Sequence, residues 1–167
     1  PQMTQRFAAL PTHNFSRGTF DAVEKIGGEA LREFILTRGK PSDPSHACMA
    51  GCTIKCSNVF GGEDGRIIVS PLEYETIGLM GTNLDIDSLD SIGRLNWHVN
   101  DLGLDSIEIG GLLGVAAEAG LTPAQLALAW CLAQPGVDAV IAGATRPEQV
   151  RENAVAAPTY IDEVPPV

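Results

Sequence analysis

The stretch CMAGCTIKCSNVFGGEDGRIIVS, residues 48–70, joins a cysteine-rich segment to a turn sequence. Three cysteines recur in it at intervals of four residues. Two partly apolar runs, residues 54–60 and 66–70, make up most of the second half of the stretch. The runs flank the glycine-rich segment 61–65. Glycine and aspartate between two apolar runs are typical of a hairpin loop. We therefore predict a short β-hairpin directly after the cysteines.

The three clustered cysteines are Cys48, Cys52 and Cys56. Residues four apart share one face of a helix and can also converge around a loop, so three thiolates could bind one inorganic centre. An iron–sulfur cluster needs such ligands and a fourth one. Zinc with His46 is an alternative, although the two paired knuckles of most zinc sites are missing. Three small buried apolar residues are a further alternative, but the crowding favours a metal or cluster site.

Composition limits the classes of function. The chain has 167 residues and a formal charge of −10, so we expect one domain, with or without an appendage, and no nucleic-acid partner. No apolar run approaches the roughly 18 residues of a membrane span, and no signal peptide is recognisable. Tight cysteine spacing also argues against a disulfide framework. We expect a cytoplasmic, reducing location without membrane association, and a sequence that begins inside a longer chain.

Helical periodicity and capping residues dominate the rest of the chain. Residues 1–19 resemble a loop and residues 137–141 a short buried strand. The predicted helices cover residues 19–38, 71–82, 87–102, 105–119, 122–134 and 145–157, with Asp87, Asp105, Thr122 and Thr145 as their capping residues where one is recognisable. The predicted fold class is therefore mainly α, a helical domain with a small β-hairpin after the cysteine segment and a short helix-strand-helix unit at the C-terminus.

Several separated motifs resemble the aldehyde ferredoxin oxidoreductase family of tungsten- or molybdenum-pterin enzymes. They are LPTHNF (10–15), GGEALREFIL (27–36), SHACMAGCTIKCSNVF (45–60), SPLEYETIGLMGTNLDIDSLDSI (70–92) and LNWHVNDLGLDSIEIGGLLGVAAEAG (95–120). Their order is that of the family, and the resemblance covers about residues 8–120. It implies that Cys48, Cys52 and Cys56 bind a 4Fe-4S cluster beside the pterin and pass electrons to ferredoxin.

Two departures from the family pattern concern the cluster. The spacing between Cys48 and Cys52 is one residue longer than in well-known archaeal members of the family. The fourth family cysteine lies far downstream, in a second pterin-binding motif that this sequence lacks. Cys131 does not stand in such a context. The fourth cluster ligand is therefore not identified.

The segment NDLGLD, residues 100–105, resembles the first pterin-binding motif of the family. Asn100 replaces the usual first aspartate, and Gly103, Leu104 and Asp105 match. Glycine permits close backbone approach, and a helix N-terminus offers amide donors to a polar ring or a phosphate. The alternative is a helix stop followed by an N-cap.

The segment EYET supplies the candidate catalytic residues, Tyr74 and Glu75. The resemblance places both near the metal, with the glutamate assisting attack of water on the aldehyde carbon. A general base of this kind needs a buried carboxylate in an apolar environment. The alternative is a solvated helix turn. For His98 we predict a surface position.

The sequence from residue 120 to 157, GLTPAQLALAWCLAQPGVDAVIAGATRPEQVRENAVAA, resembles the last helix, strand and helix of the aldo-keto reductases. In that family this region binds the adenosine end of NADPH. The matching positions are Gly143, Thr145, Arg146, Gln149, Glu152 and Asn153. The family's barrel needs eight strand-helix units, and its catalytic tetrad is missing here. We therefore expect no nicotinamide chemistry.

Together the two resemblances divide the chain into residues 1–120, residues 121–157 and a flexible tail, residues 158–167, as in a fragment or fusion. The predicted function is a partial aldehyde:ferredoxin oxidoreductase that oxidises aldehydes to carboxylates, inactive in isolation. Its expected cofactors are a 4Fe-4S cluster and a tungsten- or molybdenum-bis-pterin; its partners are ferredoxin, an aldehyde and the remainder of the enzyme. The alternatives are a small iron–sulfur electron-transfer module and an NADP-binding aldo-keto reductase fragment.

Overall fold

The computed structural model describes residues 1–156 and divides into two compact units, the first Pro1–Gly114 and the second beginning at Val115. The predicted tail, residues 158–167, lies outside the described residues. The helices are α1 Gln2–Arg6, α2 Val23–Ile26, α3 Gly28–Arg38, α4 Tyr74–Met80, α5 Leu89–Asp101, α6 Ser106–Glu118, α7 Pro123–Leu132 and α8 Pro147–Ala154, and the strands are β1 Asp43–His46, β2 Ser57–Gly61 and β3 Ile67–Val69. The predicted mainly α fold with a small hairpin is confirmed.

The three strands form one antiparallel sheet in the order β1-β2-β3. The predicted hairpin is β2 with β3, where Phe60 pairs with Val69 and the amide of Gly62 donates to the carbonyl of Arg66 at 2.8 Å. Strand β1 was not predicted, because its sequence DPSH is polar and contains proline, which is tolerated only at a sheet edge. Its pairing with β2 makes the cysteine segment the loop of a second hairpin.

A single apolar cluster holds the first unit together. The strand β2 is buried along its whole length, and helices α2 to α5 each contribute apolar side chains to the cluster. Burying a large aliphatic or aromatic side chain of this kind stabilises the folded state by about 1.5–3 kcal/mol. The buried members are Leu10, Phe20, Val23, Ile26, Ile35, Phe60, Val69, Leu72, Ile77, Met80, Leu89, Ile92 and Val99.

Arg38, the last residue of α3, joins three elements of this unit. Its guanidinium donates to both carboxylate oxygens of Asp90 in α5, at 2.8 and 2.6 Å, and to the carbonyl of Gly61 in β2, at 2.9 Å. The side chain is only 8% exposed and lies over the rings of Phe34 and Phe60. The hydrogen bonds and the charge of Asp90 raise the pKa of Arg38. Nothing local in the sequence identifies this contact.

The N-terminal third differs from the prediction in two ways. The predicted helix over residues 19–38 is interrupted at Gly27, whose backbone is extended and whose hydrogen faces the side chain of Gln2, where a Cβ would collide. Gln2 itself belongs to helix α1, in a region predicted to be loop. The side chain of Gln5 in the same helix accepts a hydrogen bond from the amide of Phe20 at 2.7 Å. Side chains of α1 therefore contact the chain both before α2 and at its end.

The predicted N-cap of α5 is displaced by one residue. Ser88, not Asp87, accepts a hydrogen bond from the amide of Ser91, at 3.3 Å. Asp87 is instead paired with Lys25 of α2 at 2.5 Å, and this ammonium lowers the pKa of Asp87. The carboxylate thus binds a cation rather than the helix terminus.

In the second unit the helices form where predicted, but the strand does not. Thr122 and Gln125 complete the capping box of α7, with hydrogen bonds of 3.2 and 2.9 Å. The strand predicted over residues 137–141 is wrong: these residues pair with no strand in the described part of the chain, and Ile141 is fully exposed. A strand without a neighbouring strand lacks hydrogen-bond partners for its backbone N–H and C=O groups. The C-terminal unit is therefore helix-coil-helix.

Among residues 1–156, no single helix is both long and apolar enough to cross a membrane. The consecutive helices α6 and α7 meet the criteria of length and composition only when taken together as a bent pair.

The Arg38 contact gives a test of the fold. Replacing Arg38 by lysine keeps the charge but removes the two-pronged hydrogen bonding, so we expect Arg38→Lys to lower the free energy of unfolding by about 2 kcal/mol. Urea denaturation followed by circular dichroism measures the change. Arg32→Lys on the exposed face of the same helix is the matched control and should leave the midpoint unchanged. Equal stability of the two variants would contradict this account of Arg38.

Candidate functional site

The three clustered cysteines lie in the loop of residues 47–56, which connects β1 to β2. The loop is closed at its base by the pair His46 and Ser57 of the antiparallel ladder. The hydroxyl of Ser45 also donates to the carbonyl of Lys55 at 3.2 Å. The strands therefore hold both ends of the loop, while its tip is exposed to solvent.

Backbone amides surround one of the three sulfurs. The amide of Lys55 donates to Sγ of Cys52 at 3.5 Å, and Lys55 adopts a left-handed backbone conformation with φ of 49°. The Lys55 amide, then the Ile54 amide, and then the thiol of Cys48 lower the pKa of Cys52. The Cys52 thiol is therefore more readily deprotonated than an ordinary thiol.

The three cysteines are spread along the loop. Cys48 and Cys52 lie within it, whereas Cys56 stands at its far end, beside the first residue of β2. Within residues 1–156, no three His, Cys, Asp or Glu side chains are arranged to bind one metal ion, and His46 is exposed at the end of β1. All four cysteines are free thiols. The ligand roles of Cys48, Cys52 and Cys56 stay a prediction.

A surface cleft of about 230 Å³ collects residues from two of the predicted motifs. Glu75 comes from the EYET segment, and Asn100 and Asp105 come from the NDLGLD segment. The cleft lies between the start of α4, the end of α5 and the start of α6. Its remaining lining residues are Pro71, Glu73, Thr76, Asn96, Ser106 and Ile107. The fold therefore places the candidate base and the candidate pterin contacts at one position.

Two buried asparagines fix the wall of this cleft that leads into α4. The amide group of Asn58 donates to the carbonyl of Leu72 at 2.9 Å and accepts from its amide at 3.1 Å. The side chain of Asn96 donates to the carbonyl of Pro71 at 3.0 Å. Across the cleft, the hydroxyls of Thr76 and Ser106 are hydrogen bonded at 3.0 Å. None of these four roles was predicted; a carboxamide or hydroxyl inside an apolar segment is the only signal that could have identified them.

Of the two alternatives for the EYET residues, the structure shows the solvated helix turn. Glu75 and Tyr74 are both exposed, because they form the solvent-facing first turn of α4. The hydroxyl of Tyr74 is hydrogen bonded to the hydroxyl of Thr4 at 2.9 Å. In these described residues Glu75 therefore lacks the apolar surroundings that a buried general base requires. It does face the cleft that holds Asn100 and Asp105.

The NDLGLD segment forms a helix stop followed by an N-cap. Gly103 has φ of 70°, and the amides of Gly103 and Leu104 donate to the carbonyls of Asn100 and Val99. This is the Schellman pattern of a helix C-terminus. The carboxylate of Asp105 then accepts the amides of Ile107 and Glu108 at 2.8 and 3.0 Å. Both ends of the motif line the cleft, whereas Gly103 and Leu104 turn the chain and are exposed.

His98 is exposed, as predicted, and packs edge-to-face against Trp97 with a centroid distance of 4.9 Å. Neither ring is among the residues that line the cleft. The histidine therefore has no part in the site described here.

The predicted adenosine-binding positions do not meet at one site. The side chain of Gln149 accepts the amides of Thr145 and Arg146, at 2.8 and 3.2 Å, and so begins α8. Asn153 lines an apolar cavity of about 420 Å³, whereas Thr145 and Arg146 line an adjoining open cleft of about 540 Å³ that shares Ala144 and Val150 with it. Gly143 and Glu152 are exposed and line neither. NADP binding stays an untested alternative.

Comparison with known proteins identifies the larger part of the chain. The family model for domains 2 and 3 of aldehyde ferredoxin oxidoreductase matches residues 1–127. The chain belongs to this family. The tungsten-containing aldehyde ferredoxin oxidoreductase of Thermococcus kodakarensis is 36% identical over 109 residues, and that of Pyrococcus furiosus is 35% identical over 109 residues. Each match covers 65% of this chain but only 16% of the relative, so the chain spans about 16% of the length of these relatives.

The C-terminal part is similar to a second family. The model of the aldo/keto reductase family matches residues 103–164. A putative voltage-gated potassium channel subunit beta of Schizosaccharomyces pombe is 50% identical over 86 residues, covering 52% of this chain and 24% of that protein. The two family models, aldehyde ferredoxin oxidoreductase and aldo/keto reductase, both match residues 103–127.

The lowered pKa of Cys52 predicts how fast its thiol is alkylated. In Cys48→Ala, Cys52 is the only cysteine of the tryptic peptide 39–55, and Cys56 falls in peptide 56–66. A depressed pKa means that the thiolate persists to lower pH, so we expect the iodoacetamide rate of Cys52 to reach half its maximum below the ordinary thiol value of about pH 8.5. Mass spectrometry of the two peptides gives both rates in one sample. A midpoint for Cys52 at or above the ordinary value would contradict the amide contacts.

Proposed function

We propose that this chain is the portion of a tungsten- or molybdenum-pterin aldehyde:ferredoxin oxidoreductase that binds a 4Fe-4S cluster and forms one wall of the pterin site. The observation that carries the proposal is the cleft shared by Glu75, Asn100 and Asp105, in a chain of this family that also carries the cysteine loop. The complete enzyme would oxidise an aldehyde to a carboxylate with water, and a cluster held by this chain would supply electron transfer to ferredoxin.

The chemistry of the cysteine loop fits an iron–sulfur cluster. Cluster ligands are cysteine thiolates, and hydrogen bonds to their sulfurs adjust the reduction potential. Cys52 accepts a backbone amide, and its thiol pKa is lowered, so its deprotonation costs less. Cys48, Cys52 and Cys56 would hold the cluster after a rearrangement of the exposed loop, with a fourth ligand from outside this set. The bound cluster supplies one-electron transfer.

The cleft would contribute polar contacts to the pterin and a base to the substrate. The Asn100 carboxamide can donate to and accept from a pterin ring, and Asp105 already orients the first amides of α6. Glu75 would accept the proton that water loses as it adds to the aldehyde carbon. At about 230 Å³ the cleft is smaller than the roughly 300–1,000 Å³ of a complete small-molecule site. It therefore suits one wall of a larger site.

Anaerobic reconstitution with iron and sulfide tests the cluster. We expect the chain to take up both, and Cys52→Ser to lower iron content by about tenfold or more, since even the outer partners of metal ligands are worth 10- to 100-fold in affinity. Elemental analysis for Fe, S, W, Mo and Zn, with electron paramagnetic resonance of the reduced protein, measures the result. Cys131→Ser, outside the loop, is the matched control. Zinc binding in place of iron, or equal iron in both variants, would overturn the cluster assignment.

Aldehyde turnover tests the share of the reaction that this chain can perform alone. We expect no aldehyde-dependent reduction of a viologen dye by the reconstituted chain, because one wall of the pterin site cannot retain the pterin. Dithionite-reduced chain should still reduce the dye, which controls for electron transfer through the cluster. Turnover by the chain alone would refute its partial status. Electron transfer without pterin binding, even after supply of the pterin, would instead support the small electron-transfer module.

A further inference from the structure

The segment between α7 and α8 carries a row of unpaired backbone groups. Residues 137–144 contain neither helix nor turn, and none of them has a positive φ. Within residues 1–156, no backbone–backbone hydrogen bond is made by residues 138–144. Unpaired N–H and C=O groups in a row are a template on which another strand can pair.

The side chains of this segment alternate between two faces, which is the periodicity of a β-strand. The even-numbered residues from 138 to 144 line the apolar cavity of about 420 Å³ that helices α7 and α8 also line. Among the odd-numbered residues, Ile141 is fully exposed and Val137 is also exposed, and only Ala139 lines the cavity as well. The segment therefore has the side-chain pattern of a strand but lacks a neighbouring strand.

The segment also lacks the residues that protect a sheet edge from pairing. Edge strands of natural proteins carry lysine or proline, or an inward-pointing charge. Strand β1 of the first unit has such protection in Pro44. Residues 137–144, VDAVIAGA, contain no lysine, arginine or proline, and Asp138 is their one charged residue. Their valines and isoleucine favour a strand.

We propose that residues 137–143 of two copies of this chain pair with each other as antiparallel strands. A two-fold axis at Val140 would place Ala139 opposite Ile141 and Asp138 opposite Ala142. Like charges directly opposite each other are destabilising, and this register keeps the two Asp138 carboxylates apart. It also sets a small side chain beside a large one. The same segment thus serves on both copies, as a two-fold interface requires.

The charge of the chain determines how this pairing responds to salt. Each copy has a formal charge of −10, so two copies repel each other at low ionic strength. Salt screens repulsion between exposed charges. We therefore expect association of two copies to strengthen as salt is added. A basic partner that binds beside Asp138 would show the opposite dependence, and weaker association at high salt would overturn the proposal.

Hydrogen–deuterium exchange at low and high chain concentration tests where the copies meet. Dithiothreitol is present, so that no disulfide joins them. In dilute chain, the amides of residues 138–144 should exchange almost as fast as those of an unfolded peptide, because they lack hydrogen bonds. Where sedimentation equilibrium shows a dimer, about half of them should slow by about tenfold or more, since successive amides point to opposite edges of a strand.

Two results of the exchange experiment would contradict the pairing. A dimer in which the amides of residues 138–144 stay fast would place the interface elsewhere. Protection that is the same at every concentration would show that the partner of the segment lies in the same chain. Either result, or the absence of a dimer at any concentration tested, would overturn the proposal.

Proline variants distinguish strand pairing from general apolar association. Proline lacks the N–H donor, so either Ile141→Pro or Ala142→Pro should raise the dissociation constant of the dimer by about tenfold or more, and the other variant much less. Each is thus the matched control of the other. Neither amide donates to the backbone in the single copy, so circular dichroism and the urea midpoint should stay unchanged. Equal dissociation constants for both variants and the unmodified chain would refute strand pairing.

Discussion

The guanidinium of Arg38 is the contact on which the geometry of the first unit depends. This group is almost completely buried. The carboxylate of Asp90 balances its charge, and the carbonyl of Gly61 accepts a further hydrogen bond from it. A buried charge without such partners is costly, so α3, β2 and α5 are held in one arrangement. Gly61 ends the strand that begins beside Cys56, and Asp90 lies in the first turn of the helix that ends at the NDLGLD segment. The same contact thus fixes the elements that carry both motifs.

Signals within a few residues were sufficient to predict much of this fold. The hairpin of β2 and β3 follows from a glycine-rich turn between apolar runs, and α7 follows from the capping box of Thr122 and Gln125. These features were predicted because the interacting groups are neighbours in the sequence. Strand β1 and the Arg38 contact were not, because their partners are distant in the sequence. The strand predicted over residues 137–141 was wrong because its apolar residues have no partner strand in the described part of the chain.

In the candidate site, too, local features could be predicted from the sequence, whereas contacts between distant residues could not. The resemblance supplied the residue types, and the positions of Gly103 and Asp105 at a helix stop and an N-cap follow from local chemistry. Sequence alone could not show that Glu75 and Asn100 face one cleft, since that depends on the packing of α4 against α5. Nor could it show that Asn58 and Asn96 anchor the segment before α4. Nor could the sequence decide between a buried and a solvated Glu75, because an apolar helix can still present its first turn to solvent.

The overlap of the two family matches has a physical explanation. Both include residues 103–127, and the boundary between the two compact units, after Gly114, falls inside that range. The shared segment consists of a helix capped by Asp105 and the start of one capped by Thr122. Capped apolar helices satisfy the packing needs of many folds, so this segment is compatible with either family. Most residues that distinguish the families lie outside it: the cysteine loop and the cleft residues of α4 and α5 on one side, and the cap of α8 by Gln149 on the other. Asp105 also lines the cleft but lies within the shared segment. In the first unit, the loop and the cleft residues that precede the shared segment therefore carry the functional information.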